Sequence, residues 1–358
     1  MRYSIKIIKI LGIPIELHIT FILLLAFVVF TSLILGNIGI TIYIVMIFTL
    51  VLFHEISHSV VAMHYGVKIT KIVLLPIGGL ASMSEIPRDA KKEFFIAIAG
   101  PAMNFAAAFV SVILIIALGM YSRIFPLFSF EITGPADLLL IFFKLNLILG
   151  FFNLFVPAIP MDGGRVFRSL LSLKFGFKRA TVVSTELAKV IAIFMALFGL
   201  FLPNIWLIVI AFFVYIGATQ EGEFASISSM LSGLKVRDIM STGYITVPSG
   251  ITLAEFFEIE FRHRHLGYPV MENDKIVGVI SFSDLSKVPK EKWDDVRVRD
   301  IMSSNVITID AEEDAIKALT KMSKFKIGRL IVLDGSEAVG IISKTDLIRA
   351  IELKRLQI

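Results

Sequence analysis

The chain has 358 residues, 56% of them hydrophobic and 18% charged, with a net charge of +5 and no cysteine. Soluble domains carry nearer a quarter charged residues, so a wholly soluble protein is excluded. The lack of cysteine excludes disulfides and thiolate chemistry and leaves His, Asp and Glu to hold any metal. The apolar excess ends near Gly217, and the stretch from about Leu231 to Ile358 is soluble in composition, so two regions in two solvents are expected.

The first apolar run, Leu17 to Leu35, shows no small-residue cleavage pattern and is expected to remain as a span. Six candidate transmembrane helices follow in order at 17–35, 41–62, 94–119, 137–156, 187–202 and 204–219, each near the length that about 30 Å of hydrocarbon requires. Alternate connections are basic, with Arg2, Lys6, Lys9, Lys68, Lys71, Arg88, Lys91, Lys92, Arg165, Arg168, Lys174, Lys178 and Arg179 on one side and Arg123 alone on the other. That bias places both termini in the cytoplasm and assigns the positive charge to anionic lipid, not to nucleic acid.

Between the second and third spans, the segment 69–80 is β-branched and ends in Pro76 and the Gly78-Gly79 pair. It is too short to span. Either an interfacial loop or an edge that pairs with an extended substrate fits it, provided protein or a wet cavity satisfies its backbone.

His54-Glu55-Ile56-Ser57-His58 lies in the second span. On a helix the two imidazoles are one turn apart on one face and can grip one ion, while Glu55 beside them can act as the base toward water. An unpaired glutamate in hydrocarbon costs several kcal/mol, more than a packing role repays. Counting from the outer end of the span puts His54 about 20 Å along the axis, in the inner half of the bilayer. A catalytic zinc needs a third protein ligand. His18 and His64 fall near membrane surfaces, whereas Asp162 follows Pro157 and Pro160 and precedes Gly163-Gly164, a break that can turn a carboxylate back into the bundle. Asn104 and Asn153 are amides in apolar surroundings, candidates for holding a substrate backbone or for bonding between helices.

The HExxH at His54–His58, the Gly100-Pro101-x-x-Asn104 element and Asp162-Gly163-Gly164, in this order, resemble the site-2 protease family of intramembrane zinc metalloproteases, peptidase family M50, in its branch with appended CBS domains. The resemblance implies one catalytic Zn2+ on His54, His58 and Asp162, with Glu55 catalytic. It also implies a transmembrane protein substrate already trimmed by an upstream site-1-type protease, in regulated intramembrane proteolysis. One departure stands out: Asn153 precedes Asp162 by nine residues where the family has eight, and Val156 holds the place of the expected proline.

The soluble region repeats itself at an offset of 62 residues, Val236–Ser241 matching Val298–Ser303 and Gly278–Leu285 matching Gly340–Leu347. Each copy alternates strand and helix signals, and two small sheets face to face would complete one core. The pattern looks like a CBS domain pair, which implies an adenine nucleotide (ATP, ADP or AMP) as regulatory ligand, with homodimerisation through the pair as a further expectation. Ser281, Asp284, Ser343 and Asp346 stand where helices begin and are the candidate nucleotide contacts, or else plain helix caps. His263 and His265 lie among arginines that repel a cation, so no metal is assigned there.

The expected architecture is therefore a polytopic α-helical membrane protein, six transmembrane helices with HExxH on the second, plus a cytoplasmic α/β tandem CBS pair. Its divisions are 1–220 (membrane protease), 221–234 (linker), 235–293 (first CBS domain) and 294–358 (second). The rival reading, a CBS-regulated divalent-cation transporter or channel, would require metal-binding side chains along several helices.

Overall fold

The computed structural model describes residues 4–76, 78–83, 89–125, 127, 132, 134–263, 267–273, 275–335 and 337–356. The chain divides into two compact units, Met1–Ala225 and Ser226–Ile358.

The first unit opens on a feature absent from the sequence expectations, a hairpin of β1 (Ser4–Ile10) and β2 (Ile13–His18). Leu11 and Gly12 turn it with φ of 49° and 84°, the double left-handed conformation that matches strand twist. His18 then caps α1 (Ile19–Ile34). After α2 (Ile38–His64), the chain forms β3 (Ile69–Leu75) and β4 (Gly78–Met83). The four strands make one sheet in the order β1-β2-β3-β4, with β2 and β3 parallel and β3 and β4 antiparallel. Ile13, Ile15 and Ile72 pack from this sheet against Ile56 of α2. The sheet is thereby fixed to the helix that carries the HExxH.

Four further helices follow: α3 (Ala90–Ala117), α4 (Pro135–Phe155), α5 (Asp162–Phe201) and α6 (Ile205–Leu231), the last ending beyond Ala225. Among the described residues five helices, α2 to α6, are long and apolar enough to cross a membrane, while α1 has 16 residues, roughly 24 Å. Exposed aromatic side chains such as Phe27, Phe109, Phe194 and Phe198 stud the helices, as a lipid-facing surface requires. The candidate span 187–202 is only the end of α5, which starts at Asp162 and is interrupted at Gly176 (φ 77°). Charges at Arg165, Arg168, Lys174, Lys178 and Arg179 hide its first part from a hydropathy reading. Likewise α6 continues helically to Leu231, through most of the expected linker.

The second unit contains α7 (Val236–Ile239), β5 (Val247–Pro248), α8 (Leu253–His263), β6 (Tyr268–Glu272), β7 (Lys275–Ile280) and α9 (Phe282–Leu285) from the first repeat. The second repeat supplies α10 (Val298–Ile301), β8 (Thr308–Asp310), α11 (Ala315–Phe325), β9 (Arg329–Asp334), β10 (Glu337–Ser343) and α12 (Lys344–Arg355). Two three-stranded sheets result, β5-β6-β7 and β10-β9-β8. The repeats exchange their opening segments. Val236, Ile239 and Met240 pack with Ile309, Leu330 and Ile342, whereas Val298, Ile301 and Met302 pack with Val247, Phe256 and Tyr268. Backbone bridges Ser241–Ile341 and Val279–Ser303 lock the exchange. A Cβ on Gly278 would lie 2.6 Å from Met302 Sδ, and one on Gly340 2.8 Å from Met240 Sδ. The sequence repeat and the packing unit are therefore offset, and neither repeat has a complete core of its own.

Candidate metal centre

Long α2 brings His54 and His58 to one face, and both are buried. Their tautomers follow from a chain of hydrogen bonds that ends on a backbone carbonyl, which can only accept. Asn146 Nδ2 donates to Phe142 O (2.9 Å), so Asn146 Oδ1 accepts from Asn104 Nδ2 (2.9 Å) and Asn104 Oδ1 accepts from His54 Nδ1 (2.6 Å). His58 Nδ1 donates to Ile96 O at 2.6 Å. With both Nδ1 atoms protonated, the neutral rings present Nε2 lone pairs to each other at 3.0 Å and to Asp162 Oδ2 at 3.0 and 3.2 Å. Three acceptors facing one another repel. One proton could satisfy one pair at most, whereas a single divalent cation satisfies all three.

The spacing suits zinc. Two ligands on a tetrahedral zinc stand roughly 3.3 Å apart, and the three ligand atoms here lie within 4.8 Å of one another. Three protein ligands leave a fourth position open, the arrangement of a catalytic rather than a structural site. Among the described residues this is the one His, Asp and Glu cluster of this kind.

Close backbone approach builds the walls. A Cβ on Gly100 of α3 would lie 2.3 Å from His58 Nε2 and 2.6 Å from His54 Nε2, so only glycine lets α3 sit against both rings. Val156–Met161 is non-helical, and Asp162 begins α5 directly after it. Gly163 and Gly164 press on that segment, with hypothetical Cβ atoms 2.2 Å from Leu154 O and from Ile159 N. The extra residue between Asn153 and Asp162 falls where this break can absorb it. Gly79 of β4 meets the HExxH from the other side: a Cβ there would come within 2.4 Å of Glu55 Cγ.

The expected site residues are distributed unevenly. His54, His58 and Asp162 converge, with Glu55 beside them on α2. Asn104, expected against the substrate, is fully buried, and its amide is engaged by His54 and Asn146. It faces a ligand imidazole, and the bonding between helices is what the geometry realises. Asn153 is part-buried in the last turn of α4, with no side-chain hydrogen bond among the described residues. His18 caps α1, its Nδ1 2.8 Å from Thr20 Oγ1, and His64 ends α2 with its ring against Tyr65. Neither approaches the cluster. Asn146, Gly79, Gly100 and the Ile96 carbonyl were not assigned from sequence; of these Gly79 and Gly100 lay within segments already singled out.

In the second unit, Asp346 Oδ2 accepts from Ser343 N (2.7 Å) and Ser343 Oγ (2.6 Å), while Oδ1 is 3.3 Å from Ser241 Oγ. Asp284 Oδ2 accepts from Ser281 N (3.1 Å) and Oγ (2.6 Å), and Oδ1 pairs with Lys287 Nζ at 2.7 Å. All four residues thus form two capping boxes. His263 ends α8, and His265 lies outside the described residues.

Comparison with known proteins matches the Peptidase family M50 model to residues 42–199 and the CBS domain model to 236–291 and 298–353. The zinc metalloprotease MJ0392 of Methanocaldococcus jannaschii is 40% identical over 357 residues, covering 100% of this chain and 98% of that protein. Rip3 of Mycobacterium tuberculosis is 29% identical over 331 residues, 87% of this chain and 80% of its own. A solved site-2 protease from M. jannaschii is 45% identical and covers 62% of this chain and 95% of its own, with a TM-score of 0.47. The chain therefore belongs to peptidase family M50, as a zinc-dependent intramembrane peptidase that carries a CBS domain pair.

Proposed function

We propose that His54, His58 and Asp162 hold the catalytic zinc and that Glu55 is the general base and acid of peptide hydrolysis. The supporting observation is the trio of mutually facing acceptors, buried at one point and flanked by a glutamate on the same helix. Bound there, zinc supplies a Lewis acid that polarises the scissile carbonyl and makes water acidic enough to attack near neutral pH. Glu55 takes the proton from the attacking water and returns it to the leaving amine. Asn104 keeps His54 in the tautomer whose Nε2 points into the site.

A transmembrane helix hides its carbonyls in its own hydrogen bonds, so a substrate must unwind before it is cut. Among the described residues β4 pairs with β3 alone, and its Gly79 touches Glu55. We read its outer edge as the place where an unwound segment adds as a further strand, its backbone bonded and one peptide bond held beside Glu55. Asn153, whose amide has no hydrogen bond among the described residues, is the candidate second clamp. The charge bias of the connections supports cytoplasmic termini and a site in the inner half of the bilayer. The CBS pair is read as a sensor of adenine nucleotide through Ser281, Asp284, Ser343 and Asp346, with a pre-trimmed membrane protein as substrate and a homodimer through the pair.

Glu55→Gln tests the chemistry, because it keeps the shape and removes the base. Cleavage of a membrane substrate should fall about 100- to 10,000-fold while bound zinc, measured by elemental analysis, stays at one per chain. Full activity in this variant would remove Glu55 from the mechanism.

A further inference from the structure

Among the described residues Arg168 is the largest fully buried side chain. Its Nε donates to Glu93 Oε1 of α3 at 2.8 Å, its Nη2 donates to the same oxygen, and its Nη1 donates to Glu221 Oε1 of α6 at 2.6 Å. The ring of Phe177 lies 5.0 Å from its guanidinium carbon. An arginine with two carboxylates at this depth carries a large desolvation cost, and a packed apolar cluster would stabilise the helices as well or better. Stability alone does not account for it. Arg168 contacts neither the HExxH nor the β4 edge, so the mechanism above leaves it without a role.

Its place on α5 suggests one. The first segment of α5 runs from Asp162 to the break at Gly176, so the straight helix beyond the break does not fix its direction. At its start Gly163 and Gly164 set how closely it approaches the 154–159 backbone, but glycine contacts do not set rotation about the helix axis. Arg168 lies six residues on, about 9 Å along the axis, and is tied to two other helices at once. One of them, α3, is the helix that fixes the imidazoles: Ile96 O holds His58, Gly100 packs on both rings, and Asn104 holds His54. Glu93 is one turn before Ile96 on that helix. A single rigid element thus locates the two histidines directly and the aspartate-bearing segment through Glu93 and Arg168.

We infer that Arg168, clamped between Glu93 and Glu221, is a positioning residue that holds Asp162 in register with His54 and His58. The inference rests on the proposed role of Asp162 as a metal ligand. The two anchors differ in kind. The Glu93 side chain is 4% exposed and that of Glu221 is 25% exposed, so Glu221 is the anchor that water can reach and loosen. Gly217, one turn before it on α6, packs on Pro160, two residues from Asp162. A shift of α6 therefore reaches the third ligand by both contacts.

The test uses the full-length protein in detergent, stripped of metal and titrated with zinc against a competing chelator. Loading with Co(II) in parallel reports ligand geometry through its visible d–d spectrum. Arg168→Gln should raise the zinc dissociation constant about tenfold, at the low end of what outer-shell changes cause, and alter the Co(II) spectrum. Glu221→Gln should move both in the same direction by a smaller factor, about threefold. Arg168→Lys, which keeps charge but loses the forked geometry, should restore folding without restoring the spectrum. Wild-type affinity and spectrum in Arg168→Gln would overturn the inference; if that variant does not fold, wild-type values in Glu221→Gln would do so. Failure of the wild-type protein itself to bind one zinc, with no further loss in His54→Ala, would instead refute the assignment of the metal site.

Discussion

The two units place acidic side chains for different reasons. In the membrane unit Asp162 meets imidazoles 108 and 104 residues away, and the rings are in turn held by an amide and a carbonyl 50 and 38 residues away. Nothing in the local backbone of α5 asks for this carboxylate to be buried with them. In the soluble unit Asp284 and Asp346 each bond a serine three residues earlier, which is what the start of any helix asks for, and Asp346 adds one longer contact to Ser241. A side chain whose contacts are all distant and whose lone pairs face other lone pairs points to a missing cation. One whose contacts are all local, as those of Asp284 are, is already explained.

The sharpest way to break this contrast is to move the glycine walls. Gly100→Ala puts a methyl within 2.3 Å of His58 Nε2, and α3 cannot retreat without pulling Asn104 off His54. Zinc content and cleavage should both be lost. Gly79→Ala pushes on Glu55 Cγ from β4 and leaves the ligands alone. It should cut cleavage at least about tenfold, the scale on which small misplacements of a reacting group act, with zinc content unchanged. Loss of zinc in Gly79→Ala would mean that β4 supports the ligands and not the base.

A smaller effect grades the distant contacts by distance from the ion. Asn104→Ala leaves His54 free to rotate and should weaken zinc binding about 10- to 100-fold. Asn146→Ala, one hydrogen bond further out, leaves Asn104 free to flip its amide and should cost less. Equal losses would mean that the amide chain acts as one unit; no loss in either would show that Gly100 packing alone orients the ring.

How far these contacts were legible depended on what signalled them. The cluster of His54, His58 and Asp162, with Glu55 beside it, was readable because ionisable residues in apolar segments are costly and fall in short motifs. The partners of those residues carried no such mark. Asn104 was picked out, but its direction toward His54 depends on how α2, α3 and α4 pack. Gly79 stood in a recognisable Gly-Gly pair, yet its contact with Glu55 depends on a four-stranded sheet whose first two strands, Ser4–Ile10 and Ile13–His18, were read only as sequence flanking a span. The start of α5 was hidden because Arg165, Arg168, Lys174 and Arg179 look like loop charges until Glu93 and Glu221 are seen beside Arg168. The repeat in the soluble region was plain from its offset. The exchange of opening segments was not, because hydrophobic pattern marks which residues are buried and not which core they join.

The smallest effect tests the soluble side of the contrast. Asp284 feels burial most strongly, which raises its pKa, but the Lys287 ammonium and the Ser281 hydrogen bonds outweigh it and hold the carboxyl below the usual aspartate range. A folded value below the unfolded one means that the carboxylate stabilises the fold fully above the ordinary value, about 3.9, and that this contribution disappears as pH falls through the folded value. Asp284→Ala should therefore lower the stability of the soluble unit in the full-length protein by about 1 kcal/mol at pH 7, the net worth of a few partly exposed hydrogen bonds. The gap between wild type and variant should close as pH falls through that folded value when melting is followed by circular dichroism. A gap that persists at low pH would mean that the aspartate acts through packing, and the local explanation of its position would then fail.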